Sequence, residues 1–183
     1  MTTLISLLRG INVGGHKKVK MADLKTLYAS LDFDNVTTYV QSGNIVFQSD
    51  APLASLPVLI NDAIETSFGF STDILIRTMA DWRRLIEENP FSKDSNMDVS
   101  KLYATLLTET PSQQAINALS EIKAQPDHYH LNGQTIYLHC LNGYGRTKLS
   151  NNFWEKKLKI RATTRNWKTV NRLFAIAESL NQS

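Results

Sequence analysis

The chain has one cysteine, Cys140, among 183 residues. A lone thiol excludes any intrachain disulfide and suits a reducing compartment. It also makes a weak nucleophile candidate, because Ile136-Tyr137-Leu138-His139-Cys140 reads as a strand and a buried strand thiol is inert. Five prolines and eight glycines form no low-complexity segment. Long apolar runs are missing too, so no segment is long enough to span a bilayer. The first run, Leu4–Leu8, stops at Arg9, has no basic segment before it, and is followed by no small-residue cleavage site. A cytoplasmic protein without membrane contact is expected. Hydrophobic content of 42% with 20% charged residues is that of a soluble globule.

Net charge is only +3, but it is unevenly placed. Residues 1–80 carry 6 basic and 7 acidic groups, residues 81–139 carry 5 and 8, and residues 140–183 carry 9 and 2. The C-terminal quarter is therefore strongly basic. Clustered Lys and Arg raise the local anion concentration, whereas Lys156, Lys157 and Lys159 also fit a solvated helix face.

Hydrophobic periodicity predicts alternating strands and helices. A strand over 3–9 precedes a helix over 21–31, with Met21, Leu24, Leu27, Tyr28 and Leu31 at helical spacing. Val36–Gln41 and Asn44–Ser49 flank Ser42-Gly43 as a hairpin. A helix from Leu56 stops at Gly69, and Thr72–Arg77 closes the unit. This βαββαβ order is that of a ferredoxin-like repeat. After a helix over 80–88, the order recurs as strand 101–108, helix 112–123, a hairpin on Asn132-Gly133 and a helix from Ser150. The last strand is expected to be short or missing, near Ile160–Thr163. The expected fold is thus α+β, two ferredoxin-like repeats by internal duplication, with an additional C-terminal helix. The divisions are 1–79, a connecting helix and loop at 80–100, a second repeat at 101–165, and a helix at 166–183.

Three segments are candidates for chemistry. Arg9-Gly10-Ile11-Asn12-Val13-Gly14-Gly15-His16-Lys17-Lys18 is a glycine-punctuated basic loop between a strand and a helix, a common anion-binding arrangement. Its glycine spacing matches a P-loop, but His16 and Lys17 stand where that motif needs Lys and Ser/Thr, so nucleotide hydrolysis is disfavoured. Thr163-Thr164-Arg165-Asn166-Trp167-Lys168 reads as the start of the last helix, capped by a threonine or Asn166. Asn142–Ser150 is another strand-to-helix connection, carrying Arg146 and Lys148.

The histidines invite a metal test. Pairing the second hairpin about Asn132-Gly133 sets His128 opposite Tyr137 and His130 opposite Thr135, with His139 on the same face. No carboxylate joins them, so a polar solvent face is expected, with no metal and no cofactor. Ser42 lies on a hairpin rather than on a strand-to-helix nucleophile elbow, which leaves turn chemistry as its role.

Leu8–Gly15, Thr38–Phe47, Asn89-Pro90-Phe91 and Thr164–Val170 resemble the DUF1697 family of bacterial proteins along essentially the whole chain. The resemblance implies an α+β architecture related to two ferredoxin-like repeats and brings no catalytic residues. The candidate ligand-binding residues are therefore read from the motifs: Arg9, Asn12, Gly14, Gly15, Ser42, Asn44, Arg146, Lys148, Arg165, Asn166 and Trp167.

Three functional readings follow. As a binding module, Arg9, Lys17, Arg146, Lys148, Arg165 and Lys168 form a basic surface for nucleic acid or a phosphorylated small molecule, with Tyr39 or Trp167 for stacking. The hairpin strands lack the aromatic ribonucleoprotein pattern. As an enzyme on an anionic substrate, Arg9 and Arg165 act as clamps and Asn12, Ser42 and Asn44 as positioning groups, but a convincing acid or base is missing. In the third reading the motifs are structural, with Arg9 and Asn44 bonding loop backbones and Trp167 filling a core.

Overall fold

The computed structural model describes residues 1–94 and 96–181. The chain divides into two units, Met1–Arg84 with Arg172–Ser183, and Leu85–Asn171. Two four-stranded sheets and six α-helices make up the described residues.

In the first unit, β1 (Thr2–Leu8) leads through a long loop to α1 (Met21–Ala29). Next come β2 (Asp34–Tyr39), β3 (Asn44–Ser49), α2 (Leu56–Phe68) and β4 (Ile74–Thr78). The sheet is antiparallel in the order β2-β3-β1-β4. Strand alternation sends Leu4, Leu8, Ile45, Phe47, Ile74 and Ile76 to one face, where they meet Leu24, Leu27 and Tyr28 of α1 and Leu56, Ile60 and Ile64 of α2. Tyr28 packs edge-on to Phe47 at 5.4 Å, and its hydroxyl shares a 2.9 Å hydrogen bond with Ser6. Complete burial raises the Tyr28 pKa, so the hydroxyl stays protonated. Helix α2 has proline in its first turn and ends on Gly69, whose φ of 74° lets its N–H reach the Glu65 carbonyl.

The second unit repeats the pattern with β5 (Leu102–Leu107), α4 (Gln113–Leu119), β6 (His128–Asn132), β7 (Thr135–His139), α5 (Asn151–Leu158) and β8 (Ala162–Asn166). Its order is β6-β7-β5-β8, again antiparallel. Leu107, Ile136, Leu138 and Ala162 from the sheet pack with Leu119, Trp154 and Leu158 from its helices. Cys140 is buried in this core, and burial pushes its thiol up to about 11. Helices α3 (Met79–Glu87) and α6 (Trp167–Asn181) complete the chain.

Three expectations are corrected. The fourth strand of the second unit is neither short nor missing: β8 runs Ala162–Asn166 and pairs with β5 from Tyr103↔Asn166 to Leu107↔Ala162. Residues 163–166 consequently belong to a strand, and the last helix starts at Trp167 because Asn166 accepts the Thr169 N–H at 2.8 Å. The β6–β7 register is also shifted. His128 faces His139 and His130 faces Tyr137, because the turn is Gly133-Gln134, with the positive φ of 56° at its first position. A shift of this parity leaves the assignment of faces unchanged.

Candidate functional site

The opening loop is built by backbone and amide hydrogen bonds. The Leu8 N–H donates to the Gly43 carbonyl at 2.8 Å and the Arg9 N–H to the Asp73 carbonyl at 3.0 Å. Thr72 Oγ1 donates to the Arg9 carbonyl at 2.7 Å. Gly43 permits this closure: a Cβ there would lie 2.7 Å from Ile11 Cδ1 and 2.8 Å from Leu8 Cβ. The loop then doubles back, with the Asn12 N–H bonded to the Lys17 carbonyl and the His16 N–H to Val13, through left-handed residues at Asn12, Gly14 and Gly15.

Asn12 is the tie. Its Nδ2 donates to the Val19 carbonyl at 2.9 Å and to the Gln41 carbonyl at 2.8 Å, while its Oδ1 accepts the Val19 N–H. One side chain thus joins the opening loop, the approach to α1 and the β2–β3 turn. Asn44 performs a similar task within that turn. It is fully buried, and its Nδ2 donates to the Tyr39 carbonyl and to Ser42 Oγ, both at 2.9 Å. Lys17 donates to the Ser71 carbonyl at 2.7 Å.

Between these joined segments lies a cleft of about 500 Å³. Lys18, Lys20 and Asp23 stand around it, Asn12 and Gln41 supply amide groups, and Val19, Met21 and Phe68 supply apolar surface. Lys20 occupies the N-cap of α1 without a side-chain cap, so the positive end of the helix dipole lies beside the cleft that Lys20 and Met21 line. Of the expected site residues only Asn12 lines the cleft. Lys18 belongs to the opening basic loop, whereas Lys20, Asp23, Gln41 and Phe68 lie outside the expected site residues. Gln41 precedes Ser42-Gly43-Asn44, so the motif itself carried a signal for it.

The remaining expected residues belong to the second unit. Arg165 sits in β8, buried, with Nη1 donating to Thr163 Oγ1 at 2.8 Å and to the Thr164 carbonyl at 2.9 Å. Burial lowers its pKa to about 10, partly opposed by Tyr144, and the guanidinium stays charged at neutral pH. Asn166 caps α6, and Trp167 is buried edge-on to Tyr137 at 6.4 Å. Arg146 and Lys148 are exposed. Nearby, the Tyr144 hydroxyl donates to Thr164 Oγ1 at 3.1 Å and accepts the Asn151 N–H at 2.9 Å, tying the 144–151 connection to β8. Lys148 borders a smaller groove of about 210 Å³ with Lys123, Lys157, Ile122, Leu149 and Phe153.

The structure therefore brings together the opening loop and the Ser42-Gly43-Asn44 turn. Arg165, Asn166 and Trp167 are set in the other unit, where Arg165 bonds to Thr163 and Thr164, Asn166 caps α6 and Trp167 packs against Tyr137. His128, His130 and His139 share a face of β6 and β7, and no group of three or more His, Cys, Asp or Glu placed to hold a metal occurs among the described residues. The pKa of His139 is lowered by burial first and by His128 second. No described helix is long and apolar enough to cross a membrane.

These features define an α+β protein of two antiparallel four-stranded sheets, with a basic cleft in the first unit. The chain belongs to the family described as protein of unknown function (DUF1697), whose profile matches residues 1–137. The fold is similar to that of the conserved bacterial protein SP0830 from Streptococcus pneumoniae, with a TM-score of 0.76, 23% identity, and coverage of 96% of this chain and 98% of that one. A comparison with curated proteins returns no match.

Proposed function

We propose that the first unit binds a phosphorylated small molecule in the cleft beside the opening loop. The single observation that carries this reading is the cleft's composition: two lysines and the Gln41 amide beside the apolar Val19, Met21 and Phe68. Lys18 and Lys20 supply positive charge, Gln41 supplies an exposed amide, and Met21 and Phe68 offer surface for an apolar or aromatic portion, while Asn12 holds the wall in place through its backbone partners. Its volume falls within the roughly 300–1,000 Å³ of small-molecule sites. The lining includes one carboxylate, Asp23, and no imidazole or thiol, which supports binding over catalysis. Nucleic acid is the competing partner, because exposed Lys18 and Lys20 would also serve a phosphate backbone.

Two wider readings accompany it. Each unit is a ferredoxin-like repeat and the pair arose by duplication; the βαββαβ order and the second-third-first-fourth strand order in both sheets support this. A cytoplasmic location is supported by the single buried thiol.

Thermal-shift assays with pyrophosphate, a nucleoside monophosphate and a short oligonucleotide test the ligand class. A small phosphate ligand should raise Tm in the wild type and lose that effect in Lys18→Ala/Lys20→Ala. A shift with the oligonucleotide alone, falling steeply with salt, would transfer the site to nucleic acid. An equal shift in the double variant would remove the cleft from consideration.

A further inference from the structure

We propose that His128 and His139 form a surface site for a divalent transition-metal ion of the zinc, nickel and copper class. The two residues face each other directly across the β6–β7 ladder. Their imidazole rings lie side by side, with centroids 6.0 Å apart and planes 19° apart. A zinc–imidazole bond is about 2.0–2.1 Å long, so two rings ligating one ion have centres roughly 5–6 Å apart. The observed separation is at the upper end of that range, and the exposed His128 ring has room to turn about its side-chain torsions. His139 is the more fixed partner, half-buried and 6.1 Å from the Phe91 ring.

His130 lies on the same face two residues along, yet its ring lies against Tyr137, 6.5 Å between centroids and 24° apart in plane. It therefore takes no part in the pair and serves as an internal control. Two imidazoles satisfy only part of a metal's coordination and leave the other positions to water. The site is accordingly exchangeable, with copper held tighter than zinc and magnesium excluded by its preference for oxygen ligands. It differs from a structural zinc site, which closes all four positions with protein ligands.

Calorimetric titration of the full chain with zinc chloride tests the proposal, with magnesium chloride as reference and His128→Gln, His139→Gln and His130→Gln as variants. One zinc per chain should bind in the micromolar range. Affinity should fall at least tenfold in His128→Gln and in His139→Gln, and change less than twofold in His130→Gln. Circular dichroism confirms that each variant folds, and zinc-induced shifts of the His128 and His139 ring resonances supply a readout independent of the substitutions. Absence of micromolar binding, equal response to magnesium, undiminished binding in His128→Gln or His139→Gln, or a loss of the same size in His130→Gln would each overturn the site.

Discussion

The two units share a strand order but spend their loops differently. In the first, residues 9–20 connect β1 to α1, whereas the equivalent connection from β5 to α4 is only residues 108–112. The first hairpin turns through residues 40–43, the second through Gly133-Gln134. The long loop and the wide turn close on each other through Asn12 and Gly43, and the cleft forms beside them. The second unit instead elaborates the β7-to-α5 connection, residues 140–150, which it anchors through Tyr144. A common scaffold thus carries its loops at different corners, and only the first unit places its glycine loop beside a hairpin turn.

The hairpin glycines give the sharpest test of this contrast. Gly43→Ala must adopt a φ of 73° and push Leu8 and Ile11 apart, so a loss of about 3 kcal/mol is expected in urea unfolding. Gly133→Ala has the same backbone sign at φ 56° but open space around it, and should lose only about 1 kcal/mol. Equal losses would show that loop closure in the first unit does not depend on close approach.

Asn12→Ala should cost about 2 kcal/mol, because it leaves the Val19 and Gln41 backbone groups without their side-chain partner. Hydrogen exchange at Val19 should quicken with it. Its counterpart in the second unit is a simple cap, and Asn166→Ala should cost about 1 kcal/mol.

Alkaline pH separates the units through the thiol. Cys140 has a folded pKa of about 11, above its unfolded value, so its protonated form supports folding fully below about pH 9. That contribution is lost as pH rises through 11, since the unfolded chain ionises first. The difference in urea midpoint between wild type and Cys140→Val should shift against the wild type across this window, which isolates the thiol from the other groups that titrate there. Tyr28 in the first unit, raised from a tyrosine's higher starting point, adds its loss only above about pH 10.

The smallest effect is expected at the cleft itself. Lys18→Ala/Lys20→Ala should change unfolding free energy by no more than about 0.5 kcal/mol per site, as exposed lysines do. A larger loss would make these lysines part of the loop's construction, like Lys17, and not of a binding surface.

Much of the fold was legible because alternation and helical spacing report which faces are apolar. Leu4, Leu8, Leu24, Leu27 and Ile60 all enter the first core as their spacing requires. Strand β8 was harder to read, since Ala162-Thr163-Thr164-Arg165-Asn166 is polar and buries a guanidinium that its own strand solvates. The β6–β7 register failed by a slip that keeps faces intact, so apolar patterning had no power to correct it. Among the site residues, glycines and asparagines signalled unusual backbone, and that is where the structure puts them to use. The amides of Asn12 and Asn44 are used up on backbone and hydroxyl partners, while the charged groups at the cleft include ordinary lysines with no pattern of their own.

The sequence by itself determined the alternation of elements, the apolar faces, the buried thiol and the sites where the chain must turn. These depend on local sterics and on a spacing of two or 3.6 residues, which a linear string displays. Tertiary structure alone decided that Asn12 joins segments separated by 29 residues, that Arg165 is buried with its guanidinium on Thr163 and Thr164, and that His128 meets His139. Such pairings arise when strand register and loop closure select one partner among many chemically equivalent ones, and that choice is made only in the folded chain.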